Sequence, residues 1–424
     1  MEYKRLQESF DAEDGIGDSA RIFSRRDGGV GESFSDGIII CTRRKLYEES
    51  VALAAYLRRF LSINGRVLLI GGGMYDTAVI TTACSLVGCA LVLSEAVPVH
   101  NVLYDVIIAS QLPEESCVRY KSYLSFGELN AVILGEMIEK SDNVNEVGES
   151  DFSVSFISGD GEIESYPEQM AVRVACRYAD AQGIFPWDVC MSTLHPCTKE
   201  GFFAGFLAPM LRAKKWIYCD DPQNVFEEMR LCSPTKLTTT PEIAERLLGE
   251  MEALRSAPSV WQKGRGSNPL RLKLDRIFPR TSAAIRRFRM IYVHYHFGGM
   301  LSGVTTLGEL SESCMESLAH FGVLSSSLIG TKNCALSGYR KYGDSNGYWR
   351  LPDGLFADMC DVRAGGVGKV TFYGDGISIG PTNGHTFKAG ELRNEYNENA
   401  ILVSEFCGFS TSKRIFFAQK TKKS

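Results

Sequence analysis

The stretch from Arg66 to Glu95 constrains the fold more than any other part of the chain. Arg66-Val-Leu-Leu-Ile-Gly-Gly-Gly73 has the pattern of a buried strand that ends in a tight turn. Tyr75 to Val87 has the pattern of a helix, and Ala90-Leu-Val-Leu-Ser-Glu95 has that of a second strand. A strand, a helix and a strand in this order form a βαβ unit with parallel strands. The sequence therefore predicts an α/β fold.

The alternation of helices and strands extends along most of the chain. We expect an amphipathic helix over Lys45 to Leu61 and two further βαβ units around Val106–Ala109 and Ala131–Leu134. The alternation recurs from Asp151 to about Ser337. Gly338 to Gly384 is rich in Gly and Asp with short β-rich runs, which predicts a small antiparallel sheet or a distorted barrel.

Composition narrows the class of protein. At 424 residues, with 44% apolar and 23% charged residues, two or three packed subdomains are expected. The net charge of -5 predicts no nucleic-acid partner, and the lack of a long apolar run predicts no membrane span. The thirteen cysteines contain no C-x-x-C pair, which argues against a disulfide framework or a zinc site and favours a reducing, cytoplasmic setting.

The stretch Asp151-Phe-Ser-Val-Ser-Phe-Ile-Ser-Gly-Asp-Gly-Glu-Ile-Glu164 begins like a phosphate-binding loop. An apolar strand enters Ser158-Gly159, where a tight turn could present backbone N–H groups to a phosphate. The loop then continues with three carboxylates, those of Asp160, Glu162 and Glu164. We expect these charges to repel a polyphosphate.

The order of these segments resembles the large N-terminal domain of the adenylate-forming superfamily, acyl-CoA synthetases in particular. The family's first signature is an Asp, an apolar strand, Thr-Ser-Gly-Thr-Thr-Gly and Pro-Lys-Gly, of which Asp151, Ser158 and Gly159 match. Four later segments are similar in pattern to the family's further motifs: Met191–Pro196 with Gly201–Ala213, Pro234–Leu248, Phe297–Gly303, and Asn399–Phe409 with Arg414–Lys420.

The resemblance implies a set of site residues. In the family's Thr-Glu motif, which binds the α-phosphate and Mg²⁺, Gly330 and Thr331 match, while Lys332 stands in place of the carboxylate. Ser158 and Gly159 fall at the family's phosphate positions, and Thr198 (or Cys197) and Gly303 at those for the acyl substrate. Glu405 and Lys420 stand where the family has an Asp and an Arg for the ribose, and they keep the charges but not the reach or the fork geometry. An ammonium group cannot ligate Mg²⁺, so the resemblance makes both ATP/AMP and Mg²⁺ doubtful cofactors and implies no metal ligand.

The resemblance also implies a function and a domain plan. Ser424 falls at the hinge before the family's small C-terminal lid domain, so we expect no lid in this chain. We expect a flexible arm over 1–36, α/β subdomains over 37–150 and 151–337, and a β-rich subdomain over 338–424. With the loop lysine, the metal carboxylate and the lid all missing, the resemblance implies a degenerate acyl-CoA-synthetase-like pseudoenzyme that binds an acyl chain, a nucleotide or a protein partner such as an active synthetase.

Two enzymatic alternatives stay open. One is an active, AMP-forming ATP-dependent carboxylic acid (fatty acid) ligase whose lid domain is supplied by a separate protein. The other is a dinucleotide-dependent enzyme that uses Gly71-Gly-Gly73, with Glu95 about twenty residues on for the ribose, although Asp76 stands where the third glycine of that motif belongs.

Three further features have ordinary structural interpretations. Cys197 lies near His195, but a buried inert thiol is far more common than a nucleophile. His294-Tyr-His296 has the spacing of two metal ligands on one strand face, without a third donor nearby. The basic insert Ala257–Arg280 is typical of a solvated linker, with a docking patch for an acidic partner as the alternative.

Overall fold

The computed structural model shows an α/β structure. It describes residues 29–34, 37–62, 65–98, 102–111, 113, 117–139, 152–157, 163–256, 279–331, 334–344, 348–363, 367–374, 376–378, 406–407, 410–411, 414–416 and 418–419.

Helices and strands alternate through most of these residues. The helices are α1 Arg43–Leu57, α2 Met74–Val87, α3 Phe126–Glu139, α4 Glu168–Gln182, a π-helix Gly201–Leu207 that continues as α5 Ala208–Arg212, α6 Val225–Cys232, α7 Pro241–Ser256, α8 Pro279–Arg289, α9 Ile291–Tyr295 and α10 Glu312–His320. The strands in the first part of the chain are β1 Gly29–Phe34, β2 Gly37–Thr42, β3 Arg66–Ile70, β4 Ala90–Ser94, β5 Leu103–Ala109, β6 Arg119–Ser125, β7 Ser153–Ile157, β8 Ile163–Pro167, β9 Val189–Ser192, β10 Lys215–Cys219 and β11 Lys236–Thr239. The later strands are β12 Gly303–Leu307, β13 Leu324–Thr331, β14 Cys334–Lys341, β15 Tyr348–Arg350, β16 Leu355–Arg363, β17 Val367–Gly374, β18 Phe406–Cys407, β19 Ser410–Thr411, β20 Arg414–Phe416 and β21 Ala418–Gln419.

The first sheet has six strands in the order β6-β5-β3-β4-β7-β8. All neighbours are parallel except β7 and β8, which form an antiparallel hairpin. Val67, Leu68 and Leu69 are consecutive in β3 and fully buried, so both faces of this strand are covered. A continuous apolar strand of this kind is typical of a parallel sheet between helix layers.

The second sheet has eleven strands in the order β19-β20-β15-β14-β13-β12-β11-β9-β10-β1-β2. The run from β13 to β1 is parallel throughout, and the strands outside it pair antiparallel. The carboxyl ends of β9, β10, β11, β12 and β13 therefore meet at one edge of this sheet. Two small antiparallel pairs, β16 with β17 and β18 with β21, complete the described strands.

The βαβ unit predicted over Arg66–Glu95 is confirmed, with β3, α2 and β4 at the expected places. The strand expected at Ala131–Leu134 is wrong, because these residues lie in α3. Leu129 and Ile133 are buried while Leu134 is 60% exposed, which is the spacing of one helix face rather than of a strand.

The two sheets divide the chain differently from the expected subdomain bounds. Residues 153–167 form β7 and β8 of the first sheet, although they follow the expected boundary at 150. Gly29–Phe34, assigned to the arm, forms β1 beside β10 in the second sheet. Strands β14 and β15 extend the second sheet past Gly338 instead of starting a separate one. These pairings join residues far apart in sequence, which local patterns do not reveal.

Asp105 fixes the amino ends of three strands in the first sheet. Its carboxylate accepts hydrogen bonds from the Arg66 N–H (3.0 Å), the Ser62 hydroxyl (3.0 Å) and the Lys121 ammonium. Burial alone would raise the pKa of Asp105, but these hydrogen bonds outweigh it and hold the pKa below its usual value.

We expect Asp105→Asn to lower the free energy of unfolding by about 2 kcal/mol at neutral pH, because charge-assisted hydrogen bonds are lost. A depressed carboxyl pKa stabilises the fold above the unfolded-state pKa, and this contribution disappears as the pH falls through the folded-state pKa. Urea titrations should thus show the difference between wild type and variant shrinking below about pH 4. A difference that stays constant down to about pH 2 would contradict this account of Asp105.

Candidate functional site

The carboxyl edge of the second sheet gathers the polar ends of its parallel strands. Thr193 follows β9, Asp220 follows β10, Thr240 follows β11 and Gly308 follows β12. Open α/β sheets bind ligands outside the carboxyl ends of their strands. This edge is therefore the candidate site.

The turn after β9 is locked to β11 by hydroxyl groups. The Thr193 N–H donates to the Thr238 carbonyl oxygen (3.1 Å), and the Thr193 and Thr239 hydroxyls are 2.8 Å apart. The Leu194 N–H donates to the Ser192 hydroxyl (3.1 Å). The backbone between Ser192 and His195 is held in place before any ligand binds.

His195 lies at the start of the loop that follows β9. Its Nδ1 accepts a hydrogen bond from the Cys197 N–H (3.2 Å) and lies 3.9 Å from Oε1 of Glu95. The first contact is a hydrogen bond and the second is too long for one, so Nδ1 is the acceptor and the proton lies on Nε2. Burial lowers the pKa of His195, although Glu95 and Asp220 oppose this. The ring is neutral at neutral pH.

We expect the imidazole of His195 to titrate below the usual value of about 6.5 in an NMR pH titration. A histidine with a lowered folded-state pKa stabilises the fold above the unfolded-state pKa, and it loses this contribution as the pH falls. A midpoint above about 7 would instead show that Glu95 forms an ion pair with a protonated ring.

Cys197 closes the glycine turn of the first sheet. Its thiol donates to the Gly71 carbonyl oxygen (2.9 Å), and burial raises the pKa of this thiol to about 12. Gly71 and Gly72 have positive φ values of 68° and 93°, and a Cβ on Gly72 would lie 2.8 Å from the Phe126 ring. The thiol is therefore inert. The glycine turn packs against Phe126 and Cys197, and this packing leaves the turn poorly placed to bind a dinucleotide.

Thr198 acts as a helix cap. Its hydroxyl donates to the His195 carbonyl oxygen (2.7 Å) and accepts from the Gly201 N–H (3.0 Å). A side chain at Gly201 or Gly205 would collide with the His195 carbonyl or the Ser192 hydroxyl, so the π-helix packs directly onto the strand-end loop. The substrate-binding role expected for Thr198 stays a prediction, with its hydroxyl already engaged in this cap.

A buried ion pair lies beside the same helix. Lys199 Nζ and Glu164 Oε2 are 2.8 Å apart, and their side chains are 11% and 5% exposed. The Tyr166 hydroxyl also donates to Glu164 (3.4 Å). Glu164 thus lies in strand β8 and its charge is paired with that of Lys199. The sequence interpretation of Glu164 as a free acid of the phosphate loop is therefore wrong. Ser158, Gly159, Asp160 and Glu162 lie outside the described residues.

Glu200 lies next to the strand that carries the expected Thr-Glu motif. A Cβ at Gly330 would lie 3.3 Å from Glu200 Oε1 and 2.5 Å from the Ala335 carbonyl oxygen. The backbone of Thr331, at the end of β13, pairs with Cys334, at the start of β14. Sequence reasoning missed both Lys199 and Glu200, because neither belongs to a family motif; their position directly after the His195 loop was the available clue.

Gly303 is not brought together with the other expected residues. It begins β12, at the amino end of the parallel strands, whereas the candidate site lies at their carboxyl ends. The turn that follows β12 instead contains Gly308, with φ 102°. Glu405 and Lys420, expected at the ribose, lie outside the described residues, as does Lys332.

His294 of the His294-Tyr-His296 pair, which has the spacing of two metal ligands, has a structural role. His294 lies in helix α9 rather than on a strand, and its Nε2 donates to the Phe321 carbonyl oxygen (2.8 Å). Among the described residues there is no cluster of three or more His, Cys, Asp or Glu side chains suited to a metal ion. In the same part of the chain, no helix is both long and apolar enough to cross a bilayer. The eleven cysteines whose side chains the structure describes are all free.

Comparison with solved structures identifies the fold. VinN in complex with L-aspartate superposes with a TM-score of 0.65 at 14% identity, over 95% of this chain and 97% of that chain. The anthranilate CoA ligase AuaEII in complex with anthranoyl-AMP gives 0.66 at 11% identity, over 98% and 78%. A putative long-chain-fatty-acid CoA ligase from Rhodopseudomonas palustris CGA009 gives 0.66 at 14% identity, over 96% and 99%.

The chain therefore has the fold of the adenylate-forming enzymes, as the sequence resemblance predicted. No protein-family model matches the sequence, and neither does any curated protein. At these identities the likeness extends to the fold alone.

Proposed function

We propose that this protein is a ligand-binding relative of the adenylate-forming ligases that does not carry out adenylation on its own. The ligand is an acyl chain or an acyl-adenylate-like molecule at the carboxyl edge of the second sheet. AuaEII is seen with anthranoyl-AMP, and we place a comparable ligand on the equivalent edge of this fold. Such a protein can also act beside an active synthetase as its partner.

The buried Lys199–Glu164 pair is the observation that carries this proposal. Adenylation needs positive charge on the phosphates as pyrophosphate leaves. Lys199 stands beside the helix at the site, but its charge is balanced at 2.8 Å by a carboxylate that is itself 5% exposed. Withdrawing this lysine to a phosphate would leave Glu164 charged and buried, which is strongly unfavourable.

The residues at the candidate site suit a nucleotide and a metal ion only in part. The neutral His195 and the hydroxyls of Thr193 and Thr239 are uncharged groups that suit an acyl or ribosyl ligand. For Mg²⁺, Glu200 is a carboxylate near Gly330, while Lys332 stands at the motif position where the related enzymes have their acid. These residues support binding of an organic ligand better than phosphoryl chemistry.

Glu200 also supports a second candidate. A carboxylate beside Gly330 could replace the one that Lys332 does not provide, which would retain a Mg²⁺ ligand. The protein would then be an ATP-dependent carboxylic acid ligase that works with a separately supplied lid domain.

Pyrophosphate–ATP exchange separates the two candidates. We expect no carboxylate-dependent exchange with a panel of fatty and aryl acids, either alone or after adding the lid domain of an active synthetase. Exchange with one acid by the chain alone would refute the binding function. Exchange only in the presence of the lid domain would establish the second candidate. Glu200→Ala should then abolish the exchange, while Glu250→Ala, at an exposed position of helix α7, should not.

A further inference from the structure

Helices α8 and α9 carry an apolar face that is exposed to solvent. Phe288 is 79% exposed, Tyr295 71% and Ile291 61%. The face comprises six side chains, Ile285, Phe288, Ile291, Tyr292, Tyr295 and Met300. Residues three to four positions apart lie on one side of a helix, so Ile285 and Phe288 line one side of α8. Ile291, Tyr292 and Tyr295 likewise lie along one side of α9. A concentration of large apolar side chains on a surface marks an interaction site.

The polarity of this helix pair is inverted. Arg286 donates to the Ala319 carbonyl oxygen (2.6 Å), Arg287 to that of Gly322 (3.1 Å) and His294 to that of Phe321 (2.8 Å). These acceptors are the carbonyl groups at the C-terminal end of α10, which favour cationic donors. The side chains of Arg286, Arg287 and His294 thus reach towards the protein while several larger apolar side chains of the same helices face solvent, the reverse of an ordinary surface helix.

Helix α8 packs closely against the residues that follow α10, so the apolar face has a fixed orientation. Gly322 has φ 85°, and a Cβ there would lie 2.5 Å from the Ala283 carbonyl oxygen. The small Ala283 and the apolar Val293 are the buried contacts on the inner side. The inverted polarity is therefore built into the packing of α8 against α10.

The helix pair itself carries positive charge, whereas the neighbouring helices α7 and α10 carry exposed glutamates. Residues 279–308 contain four arginines and no Asp or Glu, in a chain whose net charge is -5. Arg289 is exposed beside Phe288. An acidic surface is the complement of such a segment, since long-range attraction brings the two together before contact.

We propose that this face binds an anionic lipid surface. A line of aliphatic and aromatic side chains with arginine and tyrosine along it is suited to lie in the plane of a membrane interface, where Ile and Phe enter the acyl region and Tyr and Arg stay among the headgroups. A lipid surface accepts projecting side chains without a matching pocket, which a protein partner would have to supply. The proposal does not depend on the ligand of the second sheet.

Vesicle co-sedimentation tests this directly. Wild type is expected to pellet with phosphatidylcholine vesicles that contain about one third phosphatidylserine, and much less with pure phosphatidylcholine. The double variant Phe288→Ser/Tyr295→Ser should bind about tenfold more weakly, because it removes one ring from the acyl region and one from the headgroup layer. Arg289→Glu should weaken binding to the anionic vesicles alone, and about 0.5 M NaCl should reduce wild-type binding.

A matched control excludes a general effect of exposed apolar residues. Ile138 on α3 is 81% exposed, comparable to Phe288, and Ile138→Ser should bind vesicles like wild type. Thermal unfolding should be the same for all variants. The proposal is overturned if wild type does not pellet, if Phe288→Ser/Tyr295→Ser pellets like wild type, or if Ile138→Ser loses binding equally. A wild-type dimer that Phe288→Ser/Tyr295→Ser converts to a monomer, without vesicle binding by either, would assign the face to self-association instead.

Discussion

Replacing Gly201 by alanine is expected to lower the free energy of unfolding by about 3 kcal/mol, at the upper end of the effects of overpacking. The new Cβ would lie far inside contact distance of the His195 carbonyl oxygen, 2.7 Å from the His195 carbonyl carbon and 2.6 Å from the Thr198 hydroxyl oxygen. Two of these three atoms are backbone and cannot rotate away. Urea unfolding monitored by circular dichroism measures the loss.

Gly249 provides the matched control for this substitution. It lies in helix α7, and a Cβ there would meet nothing within 4 Å. Gly249→Ala should therefore stabilise the protein by about 0.5–1 kcal/mol, because alanine loses less conformational freedom in a helix. If Gly201→Ala were as stable as wild type while Gly249→Ala behaved as expected, the close packing of the π-helix on the His195 loop would be disproved.

The second large effect concerns the buried ion pair. Lys199→Met is expected to cost about 3–5 kcal/mol of stability, because it leaves the carboxylate of Glu164 buried without its partner. The reciprocal variant Glu164→Leu should be similarly harmful, since it leaves the ammonium group of Lys199 in the same surroundings. Both are measured by urea unfolding at neutral pH.

The double variant Lys199→Met/Glu164→Leu shows whether the two losses have one origin. Replacing a buried pair by apolar residues of similar size is often nearly neutral, so the double variant should lie within about 1–2 kcal/mol of wild type. Additive losses in the double variant would show that the two side chains act independently. The argument that Lys199 is unavailable to a phosphate would then fail.

The central α/β architecture could be predicted from sequence because its evidence is local. The apolar run of β3, the glycine turn and the helix that follows are contiguous, and each pattern has the period of its element. The order of the segments also predicted the fold of the adenylate-forming family, and the similar solved structures support this prediction. The short apolar run Ala131–Leu134 failed because four residues do not distinguish a strand from a buried helix turn.

Most of the candidate site depended on contacts between distant parts of the chain. Lys199 and Glu164 are 35 residues apart, and Cys197 meets Gly71 across 126. No local pattern specifies such pairs, which is why Glu164 was interpreted as a free acid of the phosphate loop. Gly303 was placed by similarity to a glycine motif, and only the direction of β12 shows that it lies at the opposite end of the strands from the candidate site.

Calorimetric titration with a non-hydrolysable acyl-adenylate analogue tests the proposed binding site most directly. We expect saturable binding by wild type, about tenfold weaker binding by His195→Ala, and unchanged binding by His320→Ala, which replaces an exposed histidine on helix α10. No heat of binding with wild type, or equal affinities for wild type and His195→Ala, would contradict a ligand site at the carboxyl edge of the second sheet.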